Sequence, residues 1–282
     1  MGMNRRTFII AGAALGFTAL PGLAVAAPAW APTRFSVEVR GRGPDVLLIP
    51  GLTAGRGVWS GTVAAVPGYR YHLLNVAGFA GEPAGGNRRG AVVGPLADEI
   101  VRYIETRGLR RPAIVGHSMG GILAMMVAAR RPELAGRIMV IDMLPQPAGL
   151  LGGTAAGWGP LTNSFRNMIA SPGGQRLFAN IMNAFTPPSS ANRRSDADVV
   201  GRAMHELAAT DMTAQLPRIR APLTIVYGSP DPRARAAIDR QFASAYAPAR
   251  GARLVRIDGA GHMVMLDQPS RFHTALMRFL RP

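Results

Sequence analysis

The sequence predicts an α/β fold with a largely parallel sheet and helices on both faces. Two patterns carry that expectation. Strand-length apolar runs alternate with segments whose apolar residues recur at helical spacing, and the run that ends at Ile49 is continuously apolar, as a strand covered on both faces must be. A third observation sets the scale: 282 residues, 48% of them apolar and 34 of them glycine, suit one large domain with a real core and an insertion.

The elements follow in order. Residues 34–40 alternate apolar and polar, with Phe35, Val37 and Val39 facing one way, which reads as a half-buried strand. Residues 45–49 form a central strand running into Pro50-Gly51. Residues 71–76 form the next strand and open into a glycine-rich loop at 78–90. Val92, Leu96, Ile100 and Ile104 share one helical face across residues 91–107, and Gly108 closes that helix. Residues 112–115 are a short buried strand, 120–131 a helix of small and apolar residues, and 137–142 another strand. Between 145 and 216 the rhythm breaks into Gly-rich and Pro-rich stretches with short helical segments, an insertion between two strands of one sheet. Alternation resumes with a strand at 222–227, a helix at 233–246, a strand at 253–258 and a final helix at 269–280. No internal repeat is present.

Residues 1–26 stand outside this pattern. Arg5-Arg6-Thr7-Phe8-Ile9 leads into an apolar run at 10–20, and Ala24-Val25-Ala26 has the small-residue spacing of a signal-peptidase site. The segment resembles a twin-arginine export signal, with Asn4 where Ser or Thr is more usual. Its apolar run falls short of the roughly 20 residues that a membrane span needs. The expectation is a signal peptide at 1–26 and a periplasmic or secreted protein, with core at 27–144, the insertion at 145–216 and the rest of the core at 217–282.

All 32 basic residues are arginine, set against 16 acids, and there is no cysteine. The chain therefore has no disulfide framework, thiol nucleophile, iron–sulfur cluster or Cys-ligated zinc. It also has no lysine for a Schiff base or a P-loop. Removing residues 1–26, which hold two arginines and no acid, takes the formal charge from +16 to +14. The arginines come at most in pairs, such as Arg88-Arg89 and Arg193-Arg194, with no aromatic interleaving and no nucleic-acid-binding signature. No nucleic-acid partner is expected. The surface reads as basic and solvated, and weak association with an anionic membrane surface stays open.

The chemistry concentrates at Gly116-His117-Ser118-Met119-Gly120, a Gly-x-Ser-x-Gly motif between a buried strand and an apolar helix. Side chains at Gly116 or Gly120 would crowd the neighbouring strand and helix, and the turn exposes the Ser118 hydroxyl at a helix N-terminus. A serine nucleophile needs a base and an orienting acid. His262, in Gly259-Ala260-Gly261-His262 after the last strand, is the candidate base; His72, His205 and His273 fall on a strand and on helices and read as packing or surface residues. The candidate acid is Asp231, past the end of the 222–227 strand, with Asp142 at the end of 137–142 as the alternative. The oxyanion donors are expected to be the backbone N–H of Met119 and, in the loop after Ile49, that of Leu52, with Thr53 the alternative.

On these residues the chain resembles the α/β-hydrolase superfamily, in its lidded esterase-like branch, from about Arg34 to the C-terminus. Ile49-Pro50-Gly51 with Trp59 downstream, Gly116 to Gly121, residues 222–231 and Gly259 to His262 carry the resemblance. Two positions depart from the family pattern: Pro50 stands where histidine is usual, and Asn75-Val76-Ala77-Gly78-Phe79-Ala80-Gly81 replaces the commoner Asp-x-Pro-Gly-x-Gly. The resemblance implies a mostly parallel sheet of about eight strands, with the insertion as a helical cap over the site. It implies hydrolysis of a small-molecule ester through a serine ester intermediate, with no metal and no cofactor. Aspartate at the nucleophile position, as in dehalogenases and epoxide hydrolases of this fold, is absent here. Met168, Met182, Met204, Met212, Phe165, Phe178, Phe185 and Trp158 in the insertion, with Met263 and Met265 beside the base, suggest a lipophilic or aromatic ester; each also reads as ordinary core packing. Other bonds open to the same machinery are a lactone, a thioester, an amide or a β-diketone carbon–carbon bond, and a ligand-binding member without catalysis is the remaining class.

Overall fold

The computed structural model describes residues 30–147, 173 and 195–281. The export segment expected at 1–26 and most of the expected cap lie outside the described residues.

Seven strands make one sheet: β1 (Phe35–Gly41), β2 (Asp45–Ile49), β3 (Arg70–Val76), β4 (Ala113–His117), β5 (Arg137–Ile141), β6 (Leu223–Ser229) and β7 (Arg253–Asp258). Their order across the sheet is β1-β3-β2-β4-β5-β6-β7. β1 runs antiparallel to β3, and every other pairing is parallel. The described residues thus hold seven strands where the resemblance implied about eight. The helices are α1 (Ser60–Ala65), α2 (Val93–Thr106), α3 (Met119–Arg130), α4 (Ala197–Ala209), α5 (Arg235–Tyr246), α6 (Val264–Asp267) and α7 (Pro269–Leu280).

The continuous apolar character of the central strands has a direct structural cause. Leu48, Val115 and Met139 lie side by side in register and share one face. They pack there with Trp59, Phe272 and Leu276 in a single core cluster. Leu47, Ile114 and Ile138 occupy the opposite face in the same register. That face meets α3, where a Cβ on Gly121 would come within 2.8 Å of Val140 Cγ1. Apolar side chains are therefore needed at every strand position, and the period-2 alternation of a half-exposed strand disappears. α7 is pinned by Phe272, Leu276, Phe279 and Leu280, all buried at helical spacing. Each such side chain contributes about 1.5–3 kcal/mol when fully removed from water.

α4, returning from the insertion, is fastened to the start of α2. The Glu206 carboxylate accepts the Val92 N–H at 2.6 Å and the Val93 N–H at 2.8 Å. These donors stand at a helix start, where no intrahelical acceptor is available. At the other end of α4, Asp196 caps the helix by accepting the N–H groups of Asp198 and Val199.

The topology places the site. From β2 the chain moves out to β3, then returns past β2 to lay β4 on its other side. Connections leaving β2 and β4 diverge at that reversal, the position where open α/β sheets bind ligands outside the carboxyl ends of their strands.

Candidate active site

At the end of β4 the chain turns sharply into α3. Ser118 sits between them with φ +54° and ψ −123°, a left-handed conformation that a side chain rarely adopts. The flanking glycines are required, as the sequence reading expected. A Cβ at Gly116 would lie 2.0 Å from the Gly120 carbonyl oxygen, and one at Gly120 would lie 2.3 Å from that of Ile49. The turn is held by the Ser118 N–H donating to the Ile141 carbonyl at 2.9 Å, and by the Gly121 N–H donating to the Ser118 carbonyl at 2.8 Å.

His262 reaches this elbow from the loop after β7. Its ring centroid lies 4.7 Å from that of His117, and its carbonyl oxygen is 2.9 Å from His117 Nε2. The loop can come this close because β6 carries no side chain at Gly228. A Cβ there would stand 2.5 Å from the Gly261 carbonyl oxygen and 2.6 Å from that of Ala260.

The acid on His262 is Asp142, not the favoured Asp231, and this corrects the sequence expectation. Asp142 Oδ2 lies 2.7 Å from His262 Nδ1, while Oδ1 accepts the Gly228 N–H at 2.9 Å. The carboxylate is buried and thereby fixed at both oxygens. A carboxylate oxygen accepts, so the neutral tautomer that fits this contact has its proton on Nδ1 and its lone pair on Nε2. Asp231 is exposed and closes its own turn: its Oδ1 accepts the Arg233 N–H at 2.8 Å at the start of the 3-10 turn Pro232–Ala234. The sequence carried a signal against Asp231, though none for Asp142. An aspartate followed directly by proline is the signature of a helical cap with proline at the first position.

Strain marks the same edge of the sheet. Five described non-glycine residues have positive φ, and four of them follow neighbouring strands: Thr53 (60°) after β2, Ala80 (50°) after β3, Ser118 (54°) after β4 and Asp142 (48°) after β5. A conformation of this kind costs on the order of 1–3 kcal/mol and persists only where its surroundings fix it.

The loop after β2 lies against the elbow. A Cβ on Gly51 would come within 2.9 Å of His117 Nδ1 and 3.0 Å of Ser118 Cβ. Among the described residues, neither the Leu52 nor the Met119 backbone N–H has a hydrogen-bond acceptor. Met119 is the first residue of α3, where the helix itself supplies none. The hydroxyl of buried Ser195 receives the Ala80 N–H at 3.0 Å and donates to the Thr53 carbonyl at 3.4 Å, which links the loops after β2 and β3. His262 is open to solvent, with its side chain half exposed, and Ser118 is partly buried.

The remaining histidines fall where packing put them. His72 is buried on β3 between Tyr103 Oη and Asp45, and burial pushes its pKa below the ordinary value against the pull of Asp45. His205 is exposed on α4, and burial lowers the pKa of His273 on α7. Met204, Met212 and Met265 are buried as core residues. Phe165, Phe178, Phe185, Trp158, Met168 and Met182 lie outside the described residues. His117 and Gly228 were missed as supporting residues. One occupied the variable position of the motif, and the other supplies only a backbone N–H.

Comparisons with known proteins agree with this fold. The model of the alpha/beta hydrolase family matches residues 46–275. A pimeloyl-[acyl-carrier protein] methyl ester esterase from Aromatoleum aromaticum is 25% identical over 245 residues, covering 80% of this chain and 94% of the relative. Among solved structures, one from Pseudomonas aeruginosa assigned provisionally as an epoxide hydrolase has a TM-score of 0.71 at 20% identity, covering 88% of this chain and 91% of the other. The enol-lactonase from Burkholderia xenovorans has a TM-score of 0.65 at 19% identity, covering 87% and 96%.

Proposed function

The chain belongs to the alpha/beta hydrolase family, and from that premise we propose that it is an exported serine hydrolase that cleaves a carboxylic ester. One observation supports this reading above the others: the imidazole held by Asp142 at 2.7 Å arrives beside the strained serine turn. In the proposed reaction His262 Nε2 takes the proton from Ser118 as the oxygen attacks the ester carbonyl. Asp142 stabilises the imidazolium formed in that step. The Met119 and Leu52 N–H groups receive the developing oxyanion, and losing one such donor costs roughly 100- to 1,000-fold in rate. The imidazolium then protonates the departing alcohol, and His262 activates water to release the acid.

The ester is lipophilic or aromatic, a choice that rests on the Phe and Met content of residues 145–216. Export rests on Arg5-Arg6 and the apolar run that follows. A fluorophosphonate probe tests the nucleophile and export together. The expected result is label on Ser118 located by mass spectrometry, in the periplasmic fraction, on a chain starting after Ala26. Ser118→Ala is expected to lose the label together with turnover of a panel of esters. Folded wild-type protein that takes no label at Ser118 would overturn the assignment, and label confined to cytosolic, full-length chain would overturn export.

A further inference from the structure

His117 fills the variable position of the serine motif, yet its ring lies against both the base-bearing loop and the loop after β2. It closes β4, is 2% exposed, and is held in register against Ile141 of β5. Its Nε2 is 2.9 Å from the His262 carbonyl oxygen. A carbonyl only accepts, so Nε2 carries the proton and Nδ1 is bare. Nδ1 is buried with no hydrogen-bond partner and faces Gly51, where even one Cβ would approach it to 2.9 Å. A second proton would place an unpaired N–H in that dry space. Burial and then the neighbouring His262 lower the His117 pKa to about 3, so the ring is neutral at working pH.

We propose that His117 is a positioning residue that ties the main chain of the base-bearing loop to the nucleophile turn, so that the His262 ring keeps one approach to Ser118. The role rests on the serine-hydrolase reading above. Other ties on this loop run from the Gly259 N–H to the Ser229 carbonyl, from the Ala260 N–H to the Ile257 carbonyl, from the Gln268 amide to the Gly259 carbonyl, from the Leu266 and Asp267 N–H groups to the Met263 carbonyl, from the Gly261 N–H to Asp267 and from the His262 ring to Asp142. None of these fixes the carbonyl of residue 262. The neutrality of His117 matters for the same purpose. Its ring lies in contact with an imidazole that becomes cationic during turnover, and a neutral neighbour adds no repulsion at that moment.

The test compares His117→Phe, which keeps a ring without the donor, with His117→Gln, whose amide can donate to the same carbonyl. With a soluble 4-nitrophenyl ester, His117→Phe is expected to lower kcat roughly 10- to 100-fold, the scale of a small misplacement of a catalytic group. KM is expected to stay within about twofold, the acid limb of the kcat/KM profile to move, and His117→Gln to recover part of the loss. If His117→Phe fails to fold, His117→Met against His117→Gln makes the same comparison. Folded variants with wild-type kcat would overturn the proposal. Equal losses with and without a donor, tracking only the melting temperature, would reduce His117 to packing and overturn it as well. Wild-type protein that neither turns over esters nor labels at Ser118 would remove the serine reading itself, and this proposal with it. Active, labelled wild type beside an equally active His117→Phe would remove only the positioning role.

Discussion

A carboxylate that accepts a main-chain N–H on one oxygen and an imidazole N–H on the other can orient a base, whereas one that caps its own turn cannot. Asp142→Asn is therefore expected to lower kcat by the order of 1,000- to 10,000-fold, because the amide favours the wrong imidazole tautomer. Asp231→Asn is expected to leave kcat within about twofold, since an asparagine caps the same turn nearly as well. Steady-state kinetics on one ester settles the pair, and the reverse ranking would sink the Asp142 assignment. Ser118 and His262 were legible in the sequence because each stands in a glycine-flanked turn directly after a strand. The acid was not, because an aspartate follows each of two neighbouring strands, Asp142 directly after β5 and Asp231 two residues after β6. Which carboxylate meets the ring is decided by a backbone contact, the Gly228 N–H on Asp142, that no side-chain pattern encodes.

At the scale of elements, the site depends on a strand surface that lacks a side chain. Gly228 on β6 lets the loop from β7 fold back over it. Gly228→Ala would push against the carbonyls of Ala260 and Gly261, with an expected cost of about 1–3 kcal/mol in stability, the usual range for overpacking. The same variant is expected to lose more in kcat than in KM, since the displaced loop carries the base. Denaturant melts combined with kinetics measure both, and an unchanged kcat would show that the close approach is not needed. Most element boundaries could be read from hydrophobic periodicity because the central strands are buried on both faces. The direction of β1 could not, since alternation in Phe35, Val37 and Val39 reports one buried face and is indifferent to whether the neighbour runs parallel or antiparallel. The insertion resisted reading for a related reason: its Gly-rich and Pro-rich stretches follow neither period, while among the described residues Val200, Met204 and Leu207 of α4 keep the helical one.

For the whole molecule, the lowered pKa values set a direction for stability against pH. An unfolded chain protonates His117 as the pH falls through about 6.5, whereas the folded ring resists down to about 3. The unfolded state therefore binds more protons between those limits, and stability that is complete above the upper one is lost on acidification toward the lower. His72 and His273, lowered by burial, act in the same sense. Asp45 and Asp258, held low first by hydrogen bonds from Arg70 and Arg256, lose their contribution further down as they protonate. Calorimetric melting temperatures are expected to fall steadily from pH 7 to pH 4, with a shallower slope for His117→Gln in the upper part of that range. A melting temperature independent of pH over this interval would contradict the neutral, buried state assigned to His117.

The left-handed residues that follow β2, β3, β4 and β5 have a consequence for when the protein becomes competent. No hairpin or single strand–helix unit could hold such torsions alone, so a growing polypeptide stays chemically inert until the neighbouring strands have zipped together. Reactivity is in this sense the last thing to mature, a check on completeness written into the backbone.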